Sequence, residues 1–196
     1  MIVGITGLSG SGKSTFAKNL HAVFEKNSIG ILNQDNYYKS VEKNENIENY
    51  NFDCLEALDT KLLKQNLQTC KKGNGLINYP SYCFKKHKVK NYNEIFVKKN
   101  TIIEGHILFL DEKVLEYIDL LIYLDINSDI CLCRRLLRDI EERDNNLNII
   151  IKRYMRFVHP LIEQIEPIKT KANLIINDIF DPYTLEIVKN KITNND

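Results

Sequence analysis

Ile2-Val3-Gly4-Ile5-Thr6 runs straight into Gly7-Leu8-Ser9-Gly10-Ser11-Gly12-Lys13-Ser14-Thr15, after which Phe16, Leu20, Val23 and Phe24 recur at helical spacing. The apolar residues in front read as a buried first strand, and those behind as one face of a helix. Gly7 to Ser14 fits G-x-x-x-x-G-K-[ST], the phosphate-cradling loop, in the strand-to-helix setting which that loop requires. Glycines let the backbone curl so that successive N–H groups point at one spot, and the helix beginning near Lys13 adds its partly positive N-terminus there. In such a loop the lysine, here Lys13, reaches the β- and γ-phosphates and the hydroxyl, here Ser14, holds Mg²⁺. A glycine-rich surface turn is the plainer reading, but it leaves the flanking strand and helix unexplained. The stretch therefore predicts a nucleoside triphosphate site made by Gly7, Ser9, Gly10, Ser11, Gly12, Lys13, Ser14 and Thr15.

The rest of the chain must build a sheet around that strand. Its 196 residues have room for one α/β domain. No repeat and no Pro/Gly/Ser-rich linker divides it, so residues 1–196 are read as a single domain. With 27 basic against 26 acidic residues, no strong net field draws it to nucleic acid or a membrane. No apolar run approaches bilayer-spanning length. The five cysteines form no C-x-x-C pair and are expected to be buried or half-buried free thiols, which fits a reducing compartment. The N-terminal strand carries no secretory pattern, so a cytoplasmic protein is expected.

Further strands are expected at Ile29 to Asn33, Thr101 to Gly105, Asp119 to Asp125 and Asn173 to Asn177. Ser40 to Asn51 reads as a polar, mobile loop. Asp53 reads as a helix N-cap with Glu56 completing a capping box. Leu55, Leu58, Leu62, Leu63 and Leu67 form the stripe of that helix, which stops near Gly73. Residues 75–99 alternate weakly around Pro80, as a small β excursion broken by the proline. Helices follow from Asp129 to about Glu142, beyond a polar gap to about Pro167, and from Pro182. Strands alternating with helices predict a five-stranded parallel sheet covered on both faces, with ligands at the carboxyl ends of the strands.

The acids stand at those ends. Asp35 follows the second strand, where a carboxylate can take or orient a hydroxyl proton opposite the γ-phosphate. An Asx turn accounts for it equally well. Glu104 ends a buried strand, where an acid can serve Mg²⁺ or simply cap. Arg135 and Arg138 share a helix face near Arg134 and Arg143, so guanidiniums can neutralise a transferred phosphoryl group. They can also form a solvated face paired with Asp139, Glu141 and Glu142. The guanine-reading N-K-x-D stretch and the D-x-x-G of GTPase switches are absent from the sequence.

Taken together, the motifs resemble the uridine–cytidine kinases, within the phosphoribulokinase/uridine kinase group of P-loop kinases. The resemblance runs through the phosphate loop, Gln34-Asp35-Asn36-Tyr37-Tyr38-Lys39, Tyr50-Asn51-Phe52-Asp53, Tyr82-Cys83-Phe84 with His87, and Ile103-Glu104-Gly105. It continues through Asp129 to Arg143, Tyr154 to Pro160, Glu166-Pro167 and Lys171-Ala172-Asn173. It implies a P-loop NTPase fold with a β-hairpin at about 75–99 over the acceptor and a helical lid at about 134–148. It implies γ-phosphoryl transfer from ATP or GTP, with Mg²⁺, to the 5′-hydroxyl of uridine or cytidine. By motif position, Asp35 is then the catalytic base, assisted at the metal, where Ser14 and Glu104 also serve. Asp53 binds the ribose hydroxyls with Arg135. Tyr82, Phe84 and His87 line the base pocket, and Arg138 and Arg143 act with Lys13 on the phosphates. Members of the family often form homo-oligomers.

The chain departs from the family pattern at four places. Asp144 and Asn145 follow Arg143 where a glycine and a second arginine are usual. Arg153 replaces a base-reading glutamine. Lys88-Val89 follows His87 in place of an arginine, and His106 replaces an aliphatic residue. Two other readings therefore stay open. One is a kinase of the same group acting on nicotinamide riboside, ribulose 5-phosphate, pantothenate or a sugar. The other is a nucleotide-binding protein without turnover.

Overall fold

The computed structural model describes residues 1–24, 28–143 and 146–194. Asp144 and Asn145 lie outside the described residues. Seven strands occur among them: β1 (Ile2–Gly7), β2 (Ile29–Asn33), β3 (Leu76–Cys83), β4 (Lys88–Phe96), β5 (Asn100–Glu104), β6 (Leu120–Leu124) and β7 (Leu174–Ile176). Five of them form one sheet in the order β2-β5-β1-β6-β7, every neighbouring pair parallel. Each residue of β1, β5 and β6 is buried, as in a parallel sheet covered on both faces; β6 accordingly reads as a continuous apolar run, whereas β5 has only Ile102 and Ile103 as apolar residues.

Alternate side chains of β1 serve two cores. Val3 and Ile5 face Phe16 and Leu20 of α1 (Lys13–Ala22) and Val188 and Ile192 of α7 (Pro182–Thr193). Ile2 turns the other way, with Ile103, Leu121, and Leu63 and Leu67 of α2 (Thr60–Lys72). Register then sets the carboxyl edge: Asn33 lies level with Glu104, and Glu104 with Ile5, two residues before the phosphate loop.

The helix expected from Asp53 begins later. Leu58 is extended and bridges Tyr38, and the Asp59 N–H donates to the Tyr37 carbonyl at 2.7 Å, so the chain cannot turn helical before Thr60. Asp59 is the N-cap, its carboxylate accepting the Leu62 N–H at 2.9 Å, while Leu55–Ala57 forms a separate 3₁₀ turn. Asp53 and Glu56 are therefore not its capping box. The stop at Gly73 agrees with the expectation.

β3 and β4 pair antiparallel as a hairpin with a register shift at Ser81/Tyr82. Pro80 does not break it. It sits inside β3 opposite Tyr92, which a two-stranded sheet allows because its outer edge needs no N–H donor. The start of the 40–51 segment is tied to this hairpin: Val41 N–H donates to the His87 carbonyl at 2.9 Å and Ser40 Oγ accepts from Val89 N–H at 3.0 Å.

α3 (Glu112–Leu115) is a single turn, and α4 (Ser128–Glu141) carries the arginines. The helix beyond the polar gap is α5 (Leu147–Arg153), a π-helical turn at Tyr154–Val158, and α6 (His159–Ile165). All five cysteines are free; Cys131 is buried, but Cys133, two positions on and turned away around α4, is exposed, contrary to the expectation. No helix among the described residues is long and apolar enough to cross a membrane.

Candidate active site

The phosphate loop leaves β1 and enters α1 through Gly12, whose φ of 92° belongs to the left-handed region that glycine occupies without strain. No side chain caps α1, so its first N–H groups are free to meet an anion. Gly10 is needed for a different reason. A Cβ there would come within 2.1 Å of the Cys131 carbonyl oxygen in α4, so any side chain would push the loop off that helix. Lys13 is buried and folds back on the loop, donating to the carbonyls of Leu8 at 2.8 Å and Gly7 at 3.1 Å. Burial lowers its ammonium pKa to about 8 despite the nearby Glu104 and Asp35 carboxylates. Ser11 Oγ is buried without a hydrogen-bond partner among the described residues. Uncapped N–H groups, a glycine cradle, a poised cation and an orphaned hydroxyl all fit a bound polyphosphate.

This loop floors a cavity of about 530 Å³. Ser9, Gly10, Gly12, Lys13, Ser14 and Thr15 line it, with Gly7 and Ser11 behind them. Ser14 Oγ donates to Glu104 Oε1 at 2.7 Å, and Asn33 Nδ2 donates to the same oxygen. Burial, reinforced by Asp35, raises the Glu104 pKa to about 7 against the pull of Lys13, Ser14 and Arg138. A hydroxyl and a carboxylate in contact beside the phosphate cradle suit Mg²⁺, which takes one or two protein oxygens and completes its shell from phosphates and water. Asp35 is the second residue of the 3₁₀ turn Gln34–Tyr37, and its N–H donates to Asn33 Oδ1 at 2.7 Å. The Asx turn is therefore made by Asn33 rather than by Asp35, whose carboxylate lines the cavity 3.6 Å from Arg143.

The arginine face points into this cavity rather than into bulk water. Arg134, Arg135, Arg138 and Arg143 all line it. Buried Asp139 gathers three of them: Arg138 Nε at 2.9 Å, Arg143 at 3.5 Å and Arg135 at 3.6 Å. The expected pairing with Asp139 is present, but as an organiser of the arginines beside the site.

Asp53 is 5% exposed and pinned from two sides. Arg135 donates to its two oxygens at 3.3 and 3.4 Å. The other partner, His106, could not be assigned from sequence, where it showed only as a polar residue at an aliphatic position. Gln34 Oε1 accepts the N–H groups of Ile107 and Leu108 at 2.9 and 3.0 Å. Its amide nitrogen is thereby turned to donate to His106 Nδ1 at 3.3 Å. Nε2 then carries the proton and donates it to Asp53 Oδ1 at 3.1 Å. Burial lowers the His106 pKa, so this is a neutral imidazole donating to a carboxylate. Burial by itself would raise the Asp53 pKa, but Arg135 and His106 hold it well below the usual carboxylate range.

Aromatic side chains form another part of the cavity wall. Phe52, Phe84 and His87 line the cavity. Arg143 lies over the Phe84 ring at 4.0 Å, and Arg153 over Phe52 at 4.9 Å. His87 adopts φ 48° in the hairpin turn, with its ring 5.3 Å from Phe52. Burial and the charges of Arg153 and Arg143 lower its pKa. Tyr82, expected at the pocket surface, packs behind it, 5.5 Å from Tyr38 and 5.3 Å from Phe84. The bulge at Ser81/Tyr82 accompanies that inward position, and the Tyr82 hydroxyl is buried with no partner among the described residues.

The geometry agrees with what the chain is similar to. A uridine kinase from Clostridium novyi (strain NT) is 38% identical over 180 residues, 90% of this chain and 86% of that protein. A uridine kinase from Clostridium tetani (strain Massachusetts / E88) is 39% identical over 181 residues, again 90% and 86%. A solved structure described as "a Possible Uridine Kinase from Bacillus stearothermophilus" superposes with a TM-score of 0.62 at 18% identity, covering 90% of this chain and 88% of that one. The model of the Phosphoribulokinase / Uridine kinase family matches residues 2–184. A phosphate loop at the edge of a five-stranded parallel sheet, facing acids and arginines across one cavity, is thus accounted for: the chain belongs to the phosphoribulokinase/uridine kinase family, phosphotransferases with an alcohol acceptor.

Proposed function

We propose that the protein is a nucleoside kinase that transfers the γ-phosphoryl group of ATP or GTP to the 5′-hydroxyl of uridine or cytidine. The observation that carries this reading is that one cavity brings together Lys13, Ser14 and Glu104, Asp35, Asp53 with Arg135, and Phe52, Phe84 and His87. A phosphate cradle, a carboxylate that can meet a hydroxyl, a carboxylate that can hold a diol and aromatic walls match the parts of a phosphoryl donor and a nucleoside. The uridine kinases to which the chain is similar support the same class.

In this reading Asp35 accepts the 5′-hydroxyl proton as the oxygen attacks the γ-phosphorus, and the bond to the bridging oxygen breaks to release the nucleoside diphosphate. Lys13, Arg138 and Arg143 offset the charge on the transferred group, with Arg143 freed from Asp35 as substrate enters. Ser14 and Glu104 would hold Mg²⁺, which would supply neutralising charge at the phosphates. Asp53 and Arg135 hold the ribose. Within the 134–148 stretch, the described arginines of α4 and Arg143 serve as a lid within one kinase domain, and the hairpin covers the acceptor.

An ADP-release assay with Mg²⁺·ATP tests this against uridine, cytidine, nicotinamide riboside, ribulose 5-phosphate and pantothenate. Uridine or cytidine should accelerate release. Acceleration by another acceptor alone, or by none while ATP still binds, refutes the assignment.

A further inference from the structure

Five carboxylates line the cavity, and four already have partners: Asp53 is held by Arg135 and His106, Asp139 by three arginines, Glu104 by Ser14 and Asn33, and Asp35 by Arg143. Arg153 lines the cavity as the last residue of α5, directly before the π-helical turn. Its guanidinium is fixed over Phe52 and reaches the Tyr50 carbonyl at a long 3.5 Å. A guanidinium has five donor hydrogens and no acceptor. Among the described residues the Tyr50 carbonyl is the one acceptor hydrogen-bonded to Arg153, so donors remain on a side chain that lines the cavity and is already ordered by ring stacking. Its charge is felt by His87, the neighbouring ring on that wall.

This arrangement, which rests on the nucleoside kinase reading, discriminates between bases. With the sugar at Asp53, a base extending past it meets Phe52, Phe84, His87 and Arg153. The two pyrimidine bases differ at their central edge. Cytosine presents two adjacent acceptors, O2 and N3, which match two parallel N–H groups of a guanidinium. Uracil places an N3–H donor between its carbonyls, which faces another donor and leaves both unpaired. We propose that Arg153 makes the acceptor site selective for a pyrimidine ribonucleoside whose base exposes adjacent acceptors at O2 and N3, so that cytidine is preferred to uridine. The aromatic walls favour this planar occupant over the phosphate of a sugar phosphate, for which the same arginine would otherwise serve.

Steady-state kinetics with Mg²⁺·ATP and three acceptors decide the matter: cytidine, uridine, and pyrimidin-2-one riboside, which keeps O2 and N3 but lacks the 4-amino group. The wild-type kcat/KM should favour cytidine over uridine by about tenfold or more, with pyrimidin-2-one riboside within a few-fold of cytidine. Arg153→Gln, whose amide can meet either base, should bring the ratio to within about threefold. Arg153→Lys, a charge without the paired donors, should not restore it. A wild type that uses both bases equally overturns the proposal alone. So does a pyrimidin-2-one riboside as poor as uridine, since the amino group would then be the feature read. An unchanged ratio in active Arg153→Gln overturns it too. If no nucleoside is phosphorylated, the nucleoside kinase reading fails and takes this one with it.

Discussion

Asp35 and Asp53 are both carboxylates at the carboxyl edge of the sheet, yet their surroundings assign them different work. Asp35 is part-exposed in the cavity near Arg143, placed to meet a hydroxyl that approaches the phosphate end. Replacing it as Asp35→Asn keeps the shape but removes the proposed base. Turnover should fall about 100-fold or more while ATP affinity stays within about twofold, checked by kcat and by nucleotide titration. Asp53 is buried and spends its charge on Arg135 and His106, so its task is to hold. His106→Leu leaves Gln34 Nε2 and one Asp53 lone pair without their partner. The acceptor KM should rise about fivefold, the worth of one hydrogen bond, with a smaller change in kcat. An unchanged KM would show that Arg135 alone sets Asp53. The importance of Asp53 was legible as part of a motif, whereas His106 was not. The contact joins positions 53 and 106 across the molecule, and only the Gln34 amide between them fixes which imidazole nitrogen donates.

At the scale of elements, the stretch before α2 shows how local signals mislead. Asp53 and Glu56 have capping-box spacing, but the Tyr38–Leu58 bridge holds the chain extended until Asp59. Asp59→Ala should therefore cost about 1 kcal/mol of stability, measured by urea unfolding, and leave the acceptor KM unchanged. A cap at Asp53 would have given the reverse pattern. The Pro80 strand is a second instance. Proline is excluded from a central strand but accepted in a two-stranded hairpin with open edges, and sequence alone does not say how many strands a sheet will have. The arginine helix is the third. Its spacing placed Arg135 and Arg138 on one face and left open whether water or the site lay opposite. Packing of α4 against Gly10, together with buried Asp139, turns that face inward.

Over the whole molecule, a buried acid beside a buried lysine shapes the pH response of the metal-free protein. The folded-state pKa of Glu104, about 7, stands above the ordinary value of 4.5. Folded protein therefore retains a proton there that unfolded chain has already released. The stability this confers is complete below about pH 4.5 and is lost as pH rises through about 7. Urea unfolding without Mg²⁺ should show wild type losing stability relative to Glu104→Gln between about pH 5 and 7.5, by roughly 3 kcal/mol at most. Parallel curves for the two proteins would mean that Glu104 is ionised in the fold.

Much of this architecture follows from the chain read by itself. The apolar runs, the glycine-rich loop and the strand–helix alternation determined a parallel sheet with a phosphate site at its edge. Those signals are local, written within one strand, one turn or one helix face. What the tertiary structure decided lies in contacts between distant segments. It paired Asp53 with His106 and Arg135, gathered the arginines on Asp139, withdrew Tyr82 behind the cavity wall and set Arg153 over Phe52. A side chain's partner depends on where the sheet and helices bring other segments, and no period or spacing along one segment encodes that.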